Sequence, residues 1–589
     1  MLEDLVTVLQ KTRFNGLKFY LFTSSLLVSI PSFASGSSTG YTVNNGQTYE
    51  ISSNQNTDLT NNGTVTVTSS GRVTGTTTNN SIFSNSGSLN ILNNFGQFSG
   101  TKGTTSDINN AASGTITGTS SNAGNIVNYG TINVSGFNIL TVTNEQGASF
   151  TNNNGTSNGN FDNSGTANLN SGMVIGNVTN QSSGNMTTSA TIAGSVDNYG
   201  TLNLSGTGMV QGTVTNHSGT LTLSGQYSNI FGTLNAVGGT FTVIAGNINA
   251  LSGSANGTLN GTLLINRGNN SVYSGSMSGN GTISIASGTQ TLSGANTYTG
   301  NTNVSNNGQL ILTGSLAGAL SNTSNASHAS VITSGAKVTG NIINTGGLVI
   351  KGTIGGLTVN TKLASIQISD NAVLNLSVIN SGTITMSGSS TIKQDVTNTS
   401  GATFNLTDSS EIQRQVNNAG TFIINTNAQV LGSFTNSTVL NMDSGAISGA
   451  LTNTGVMTIQ DGSQVSSIEN KSGTATLSSS TVQGAVANDA NGTLTMTGGS
   501  AASATNAGIM TLEKNNKISG NVTNTSGTDA GREHHKRHTG CKWWQFFRHH
   551  QWCKPWCVER HRQWHTRWPV DSGIHQQRLF RHTLWFRRC

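Results

Sequence analysis

From about Ser35 to Thr528 the chain alternates apolar and polar residues in short runs broken by Gly, Asn and Ser. In GTLNLSG (Gly200–Gly206), Leu202 and Leu204 fall on one side of an extended segment and Asn203 on the other. MVQG and TVTN follow as two more short runs of period two. Gly and β-branched residues are poor helix formers, so the pattern predicts strands throughout.

The runs themselves repeat. An apolar-x-Asn turn followed by small residues recurs at Asn380, Asn398, Asn418, Asn436, Asn453, Asn470, Asn488, Asn506 and Asn524, which span 144 residues in eight steps, a mean period of 18. The same spacing occurs at Asn180, Asn198 and Asn216. Three short strands and three turns in about 18 residues predict one coil of a right-handed parallel β-helix, an all-β solenoid. Val, Ile and Leu would fill its interior, and the turn asparagines would stack in a ladder, each amide bonding to the next. Gly is expected at these corners for its freedom to adopt positive φ. Roughly 27 coils at about 4.8 Å would give a rod on the order of 130 Å long. Residues 90–160 and 315–335 repeat less regularly, and there the sequence leaves both a continuous rod and loops open.

Composition changes the picture in two ways. Of 589 residues only 8% are charged, 74 are Gly and three are Pro, a polar balance that otherwise suggests a disordered stalk. A solenoid resolves this, since its strands find partners above and below and its core need be only one or two side chains thick. Charge is also split: residues 35–530 hold 11 Lys and Arg against 16 Asp and Glu, residues 531–589 hold 13 against 3. The faintly acidic body offers no basic stripe, so no nucleic-acid partner is expected.

The chain begins with an address. Lys11, Arg13 and Lys18 precede the apolar run Phe19–Ile30, and PSFASG follows. This predicts a signal peptide over residues 1–34, handled by the Sec export machinery and cleaved near Ala34; twelve apolar residues are too few to span a bilayer as a helix. Residues 35–530 contain no Cys, so repetition rather than disulfides must stabilise the exported body.

One stretch carries a family resemblance. SGNGTISIASG followed by TLSGANTYTGNTNVSNNGQLIL (Thr291–Leu312) resembles the autotransporter-associated β-strand repeat, here over residues 278–312, with Asn301 standing where a second Gly is common. The solenoid over residues 35–528 is similar in kind to passenger domains of Gram-negative autotransporters. The resemblance implies export to the periplasm, then display at the outer membrane or release through a C-terminal barrel. Residues 529–589 are too few for that barrel and lack its alternating strands, so the parent protein is expected at the cell surface and this chain in the periplasm.

Candidate chemistry is sparse. His217 in VTNHSG and His328 in SNASHAS stand among small polar residues and read as turn or surface positions. Asp443 and Asp461 lie one period apart without a partner base, and MDSGA (Met442–Ala446) is not the nucleophile motif of a serine protease. A polysaccharide hydrolase is the rival reading, because β-helices can carry such sites, but it needs carboxylates clustered on neighbouring coils. The expected function is a non-enzymatic passenger, without cofactor or metal, that binds host or neighbouring-cell surface molecules or associates with itself.

Residues 529–589 differ in kind. All seven Trp, all four Cys and nine of the eleven His lie between Gly531 and Cys589. Cys553, Cys557, His561 and His565 have a C-x3-C-x3-H-x3-H spacing, but three residues between the pairs are too few for a zinc finger to fold around its metal. Read one nucleotide later, every Trp codon begins GG and encodes Gly, His becomes Thr, Ile or Met, and Cys becomes Val or Ala. The alien residues convert into those of the body, so the tail is expected to be the same repeat translated out of frame from near Asp529.

Overall fold

A computed structural model describes residues 40–225, 228–266, 270–525 and 528–529. The expected signal peptide and the tail, with its Cys and His spacing, lie outside the described residues. Strand makes up 61% and helix 1%, in a parallel β-solenoid of about 27 turns roughly 18 residues apart.

One coil shows how the sequence builds the fold. Val178–Asn180 forms the first strand, Asn185–Thr188 the second and Thr191–Ile192 the third. Each pairs in parallel with its equivalent one coil on, Val178 with Val196, Met186 with Leu202 and Ile192 with Val210. Alternation does the rest: Val178, Asn180, Met186, Thr188 and Ile192 are buried, and Thr179, Thr187 and Thr191 between them face outward. Leu202 and Leu204 are fully buried with Asn203 outside them, as the alternation requires. Inside, like side chains stack in columns; Phe404 lies 4.8 Å from Phe422 with rings almost parallel, and Phe422 meets Phe434 of the ladder-strand column edge-on at 5.1 Å. Each such ring pair adds about 0.5–1.5 kcal/mol beyond its buried area.

The rod has three sides, set by the three strands of a coil: a ladder side ending in Asn, a long-strand side and a short-strand side. These roles do not stay in place. The column of Asn198 and Asn216 continues through Ala236, Gly253, Tyr273 and Leu292 to Leu312, Ile332 and Ile350, and from there it belongs to long strands such as Ser365–Ile368. The column of Ile192 and Val210 runs through Ile230, Ile248, Ile265, Ile285 and Val304 into Asn322. The Asn ladder therefore moves to the neighbouring side of the rod across residues 229–322, and the long-strand side moves with it.

This junction includes the stretch 278–312. Its strands are longer, Thr282–Leu292 and Thr302–Leu312 pairing over most of their length with a register shift after Ile285. Two buried tyrosines serve the core here, Tyr273 in the former ladder column itself: Tyr273 Oη donates to Ala255 O at 2.6 Å, and Tyr298 Oη shares a 2.5 Å hydrogen bond with Thr302 Oγ1. Gln290 spans two coils; its Nε2 donates to Leu251 O at 3.0 Å while its Oε1 accepts from Leu251 N. Its amide thus pairs Leu251 as a strand backbone would.

Two open points close, and one expectation holds only in part. Residues 90–160 are not looped out, since their strands stay in register from Ser88–Asn94 through Asn138–Asn144. Residues 315–335 hold only a short helical turn, Ala326–His328, which lengthens one coil so that Asn322 and Asn344 are 22 residues apart. The ladder-corner glycines divide: Gly147 and Gly401, after Asn144 and Asn398, take positive φ as expected, whereas at Gly382 a Cβ would lie 2.3 Å from Ala364 O of the coil below, so there close stacking excludes a side chain. Left-handed backbone is also common in the turn after the long strand. In the C-terminal half it is taken up mostly by Asp, Asn, Ser and Gly, among them Asp370, Asn371, Asp408, Ser409 and Asn427, residues that tolerate it.

Candidate functional site

The asparagine ladders are the most regular polar feature of the molecule. Asn180 Nδ2 donates to Asn198 Oδ1 at 2.8 Å, and Asn198 Nδ2 to Asn216 Oδ1 at 2.7 Å. The second ladder runs in the same sense from Asn380 through Asn398, Asn418, Asn436, Asn453, Asn470, Asn488 and Asn506 to Asn524, each contact 2.7 to 3.0 Å. The remaining amide hydrogen is used as well: Asn398 Nδ2 donates to Thr421 O at 3.0 Å. All but the last of these asparagines are buried. An orphaned amide group there would cost about 1–3 kcal/mol, so each rung depends on its neighbours.

Both ladders are longer than the sequence period revealed. The first begins at Asn61 and includes Asn79, Asn94, Asn110, Asn128, Asn144 and Asn163. The second begins at Asn322, with Asn344 and Asn360. Seven of the ten missed rungs carry the same signal, an Asn two residues after a buried residue and close before Gly, while Asn79, Asn322 and Asn360 lack the Gly; uneven spacing also hid them, Asn79 to Asn94 being 15 residues.

The chemical candidates are held apart. His217 is not isolated among small polar residues: its Nε2 lies 2.9 Å from Asp197 Oδ1, and its ring stacks on Tyr199 at 4.4 Å. Both partners come from the coil below, which fixes the imidazole at a half-exposed corner. His328 sits in the short helical turn, where its backbone N donates to Asn325 Oδ1. Asp443 pairs in register with Gln460 rather than Asp461, and Asp461 lies in a left-handed turn. Among the described residues no three His, Cys, Asp or Glu gather as a metal site, and no helix is long and apolar enough to cross a membrane. A cavity of about 10 Å³ inside the rod is lined by Asn152 and Ser157, whose Oδ1 and Oγ are buried without a partner; this is about the room one water needs.

The outer surface is differentiated. On the long-strand side of the N-terminal half, two outward rows run from Thr64 and Thr66 to Asn256 and Thr258, with Thr201, Asn203, Thr220 and Thr222 among them. On that side of the C-terminal half two rows run from Ser365 and Gln367 to Ile509 and Thr511, with Thr383, Thr385, Thr474 and Thr476 among them. Neither pair of rows holds a charged residue. Charges fall at strand ends, as at Asp443, on turns and on the other sides, as at Lys351 with Asp370 and Lys471 with Glu469. No family model, curated protein or solved structure matches the chain.

Proposed function

We propose that residues 35–528 form the rod of a non-enzymatic surface protein, exported and displayed as an autotransporter passenger, that binds cell-surface molecules or its own kind. The observation that supports this best is the pair of long, shallow, uncharged faces built from repeated Thr, Ser and Asn. Such a face suits many weak contacts whose avidity accumulates along the rod, whereas catalysis needs a few groups converging on one point. The leader-like residues 1–34 and the repeat-like stretch 278–312 favour the passenger route to the surface.

The experiment is to join the rod to a translocator barrel, display it on bacteria, and measure settling of the culture and adhesion to cultured cells and neutral glycans. Aggregation or adhesion absent from barrel-only cells is expected. Cells that show neither contradict the proposal, and release of reducing ends from polysaccharide by the purified chain would favour a hydrolase instead.

A further inference from the structure

We infer that the rod associates with further copies of itself through its two uncharged long-strand faces, and that, because these lie on different sides, the assembly is open-ended. The inference rests on the surface-rod reading and names its partner.

Protein surfaces ordinarily intersperse charges of both signs, and exposed β-structure is commonly protected by charge. Here the reverse holds along the two outward rows of the long-strand side in each half; the short-strand side of the N-terminal half presents one further uncharged row, from Ser88 through Asn138 and Thr191 to Asn229. Glu50 shares the N-terminal long-strand side but stands one coil before Thr66; from there to Thr258 no carboxylate or cation interrupts the two outward rows, nor is there one in those from Ser365 to Thr511. Asp443 borders the second face, at the end of its strand. Two such faces meet without like-charge repulsion along their centres. Thr, Ser and Asn side chains both donate and accept hydrogen bonds, so each face is complementary to itself.

Periodicity selects a second copy over other neutral partners. The hydroxyl rows repeat with the coil rise of about 4.8 Å, and a rod built of the same coils shares that repeat along its whole length, so one contact in register places the next in register. Avidity then grows with overlap.

The junction determines how the assembly ends. If one side of the rod carried both faces, two copies would satisfy each other and close. Because the long-strand role passes to a neighbouring side across residues 229–322, the N-terminal half docks one copy while the C-terminal half stays available to another. Self-complementary contacts in two directions propagate rather than close.

The test uses the purified full chain in reducing buffer, so that the four cysteines of residues 541–589 cannot cross-link it, followed by sedimentation velocity and electron microscopy. Thr201→Lys with Thr220→Lys charges the N-terminal face, and Thr383→Lys with Thr474→Lys the C-terminal one; all four side chains point outward and are exposed, and unchanged circular dichroism checks that the rod stays folded. The parent is expected to form assemblies that lengthen with concentration, each double variant to stop at dimers, and the fourfold variant to be monomeric. A monomeric parent, a fourfold variant that still assembles, or a double variant that grows like the parent or fails to dimerise overturns the inference. Adhesion to other cells by a rod that stays monomeric would overturn it while leaving the surface-rod reading intact.

Discussion

The two ladder-bearing segments and the junction between them solve one problem differently. From Asn61 to Asn198 and from Asn322 to Asn506 each coil ends its ladder strand with a buried amide whose hydrogens are taken by the next Asn and by a backbone carbonyl. Between them the chain uses unlike, single-copy devices: the Tyr273 hydroxyl, the Tyr298–Thr302 pair and the Gln290 bridge to Leu251. A ladder is cooperative along the axis but tolerates no substitute; the devices are local, and they let the repeat change its phase. Stability in such a rod is a sum of coil and interface terms, so the comparison is best probed by local opening, read from amide hydrogen exchange.

The largest expected effect is in a ladder-bearing half. Phe422→Ala removes the middle ring of the Phe404–Phe422–Phe434 stack, and opening of its coils should become easier by about 3–5 kcal/mol while exchange near Tyr273 is unchanged. Next, Asn398→Ala removes the acceptor of one Asn380 Nδ2 hydrogen and the donor to Asn418 Oδ1, while Asn380 Nδ2 keeps Thr403 O and Asn418 Oδ1 keeps Gly420 N, a loss of about 1–3 kcal/mol at roughly 0.5–1.5 per hydrogen bond. If Asn398→Ala loosened its own coil no more than an outward Thr→Ala on the same strand, the ladder would be decoration.

Thr358→Val works in the opposite direction. Thr358 stands in a column between Ile342 and Val378, and its Oγ1 is buried without a partner. Replacing that hydroxyl by a methyl group of similar size should stabilise the coil by about 1–2 kcal/mol, seen as slower exchange around residues 342–378.

The junction should respond to pH where the ladders do not. Burial pushes the Tyr273 and Tyr298 phenols well above the usual tyrosine range, whereas in the unfolded chain they ionise near pH 10. Above about pH 10 the unfolded state sheds protons that the folded state keeps, so the stabilisation is complete below that value and declines as pH rises past it. Alkaline titration followed by exchange should open the junction coils first, and the Tyr273→Phe, Tyr298→Phe double variant, about 1 kcal/mol less stable per lost hydrogen bond at neutral pH, should lose that alkaline response.

Much of this was legible in the residues. Alternation in GTLNLSG and the apolar-x-Asn turn gave the strand type, the three-strand coil and twelve ladder positions from Asn180 to Asn524. Two things escaped for physical reasons. Coil length varies because turns absorb insertions without disturbing the strands, as the turn at Ala326–His328 does, and a search for a fixed period passes over Asn79, Asn94 or Asn344. The change of side is invisible to any local pattern, since Leu320–Asn322 reads like Val214–Asn216; it emerges only when coils are followed strand by strand from Val210 to Asn322. The pairing of His217 with Asp197, 20 residues away, likewise becomes visible only once the coils are stacked.

The change of side is the central claim, and a cross-link tests it most directly. Neighbouring parallel strands lie about 4.8 Å apart, within the Cα separation a disulfide needs. With the four native cysteines changed to Ser, Asn303→Cys and Ser321→Cys fall on register partners and should form a disulfide quantitatively on mild oxidation. Thr291→Cys with Ser321→Cys, the pair that would meet if the ladder kept to its original side, should remain reduced, because Thr291 pairs with Ile311 instead. A disulfide in the Thr291→Cys, Ser321→Cys variant, with none in the Asn303→Cys, Ser321→Cys variant, would contradict the account.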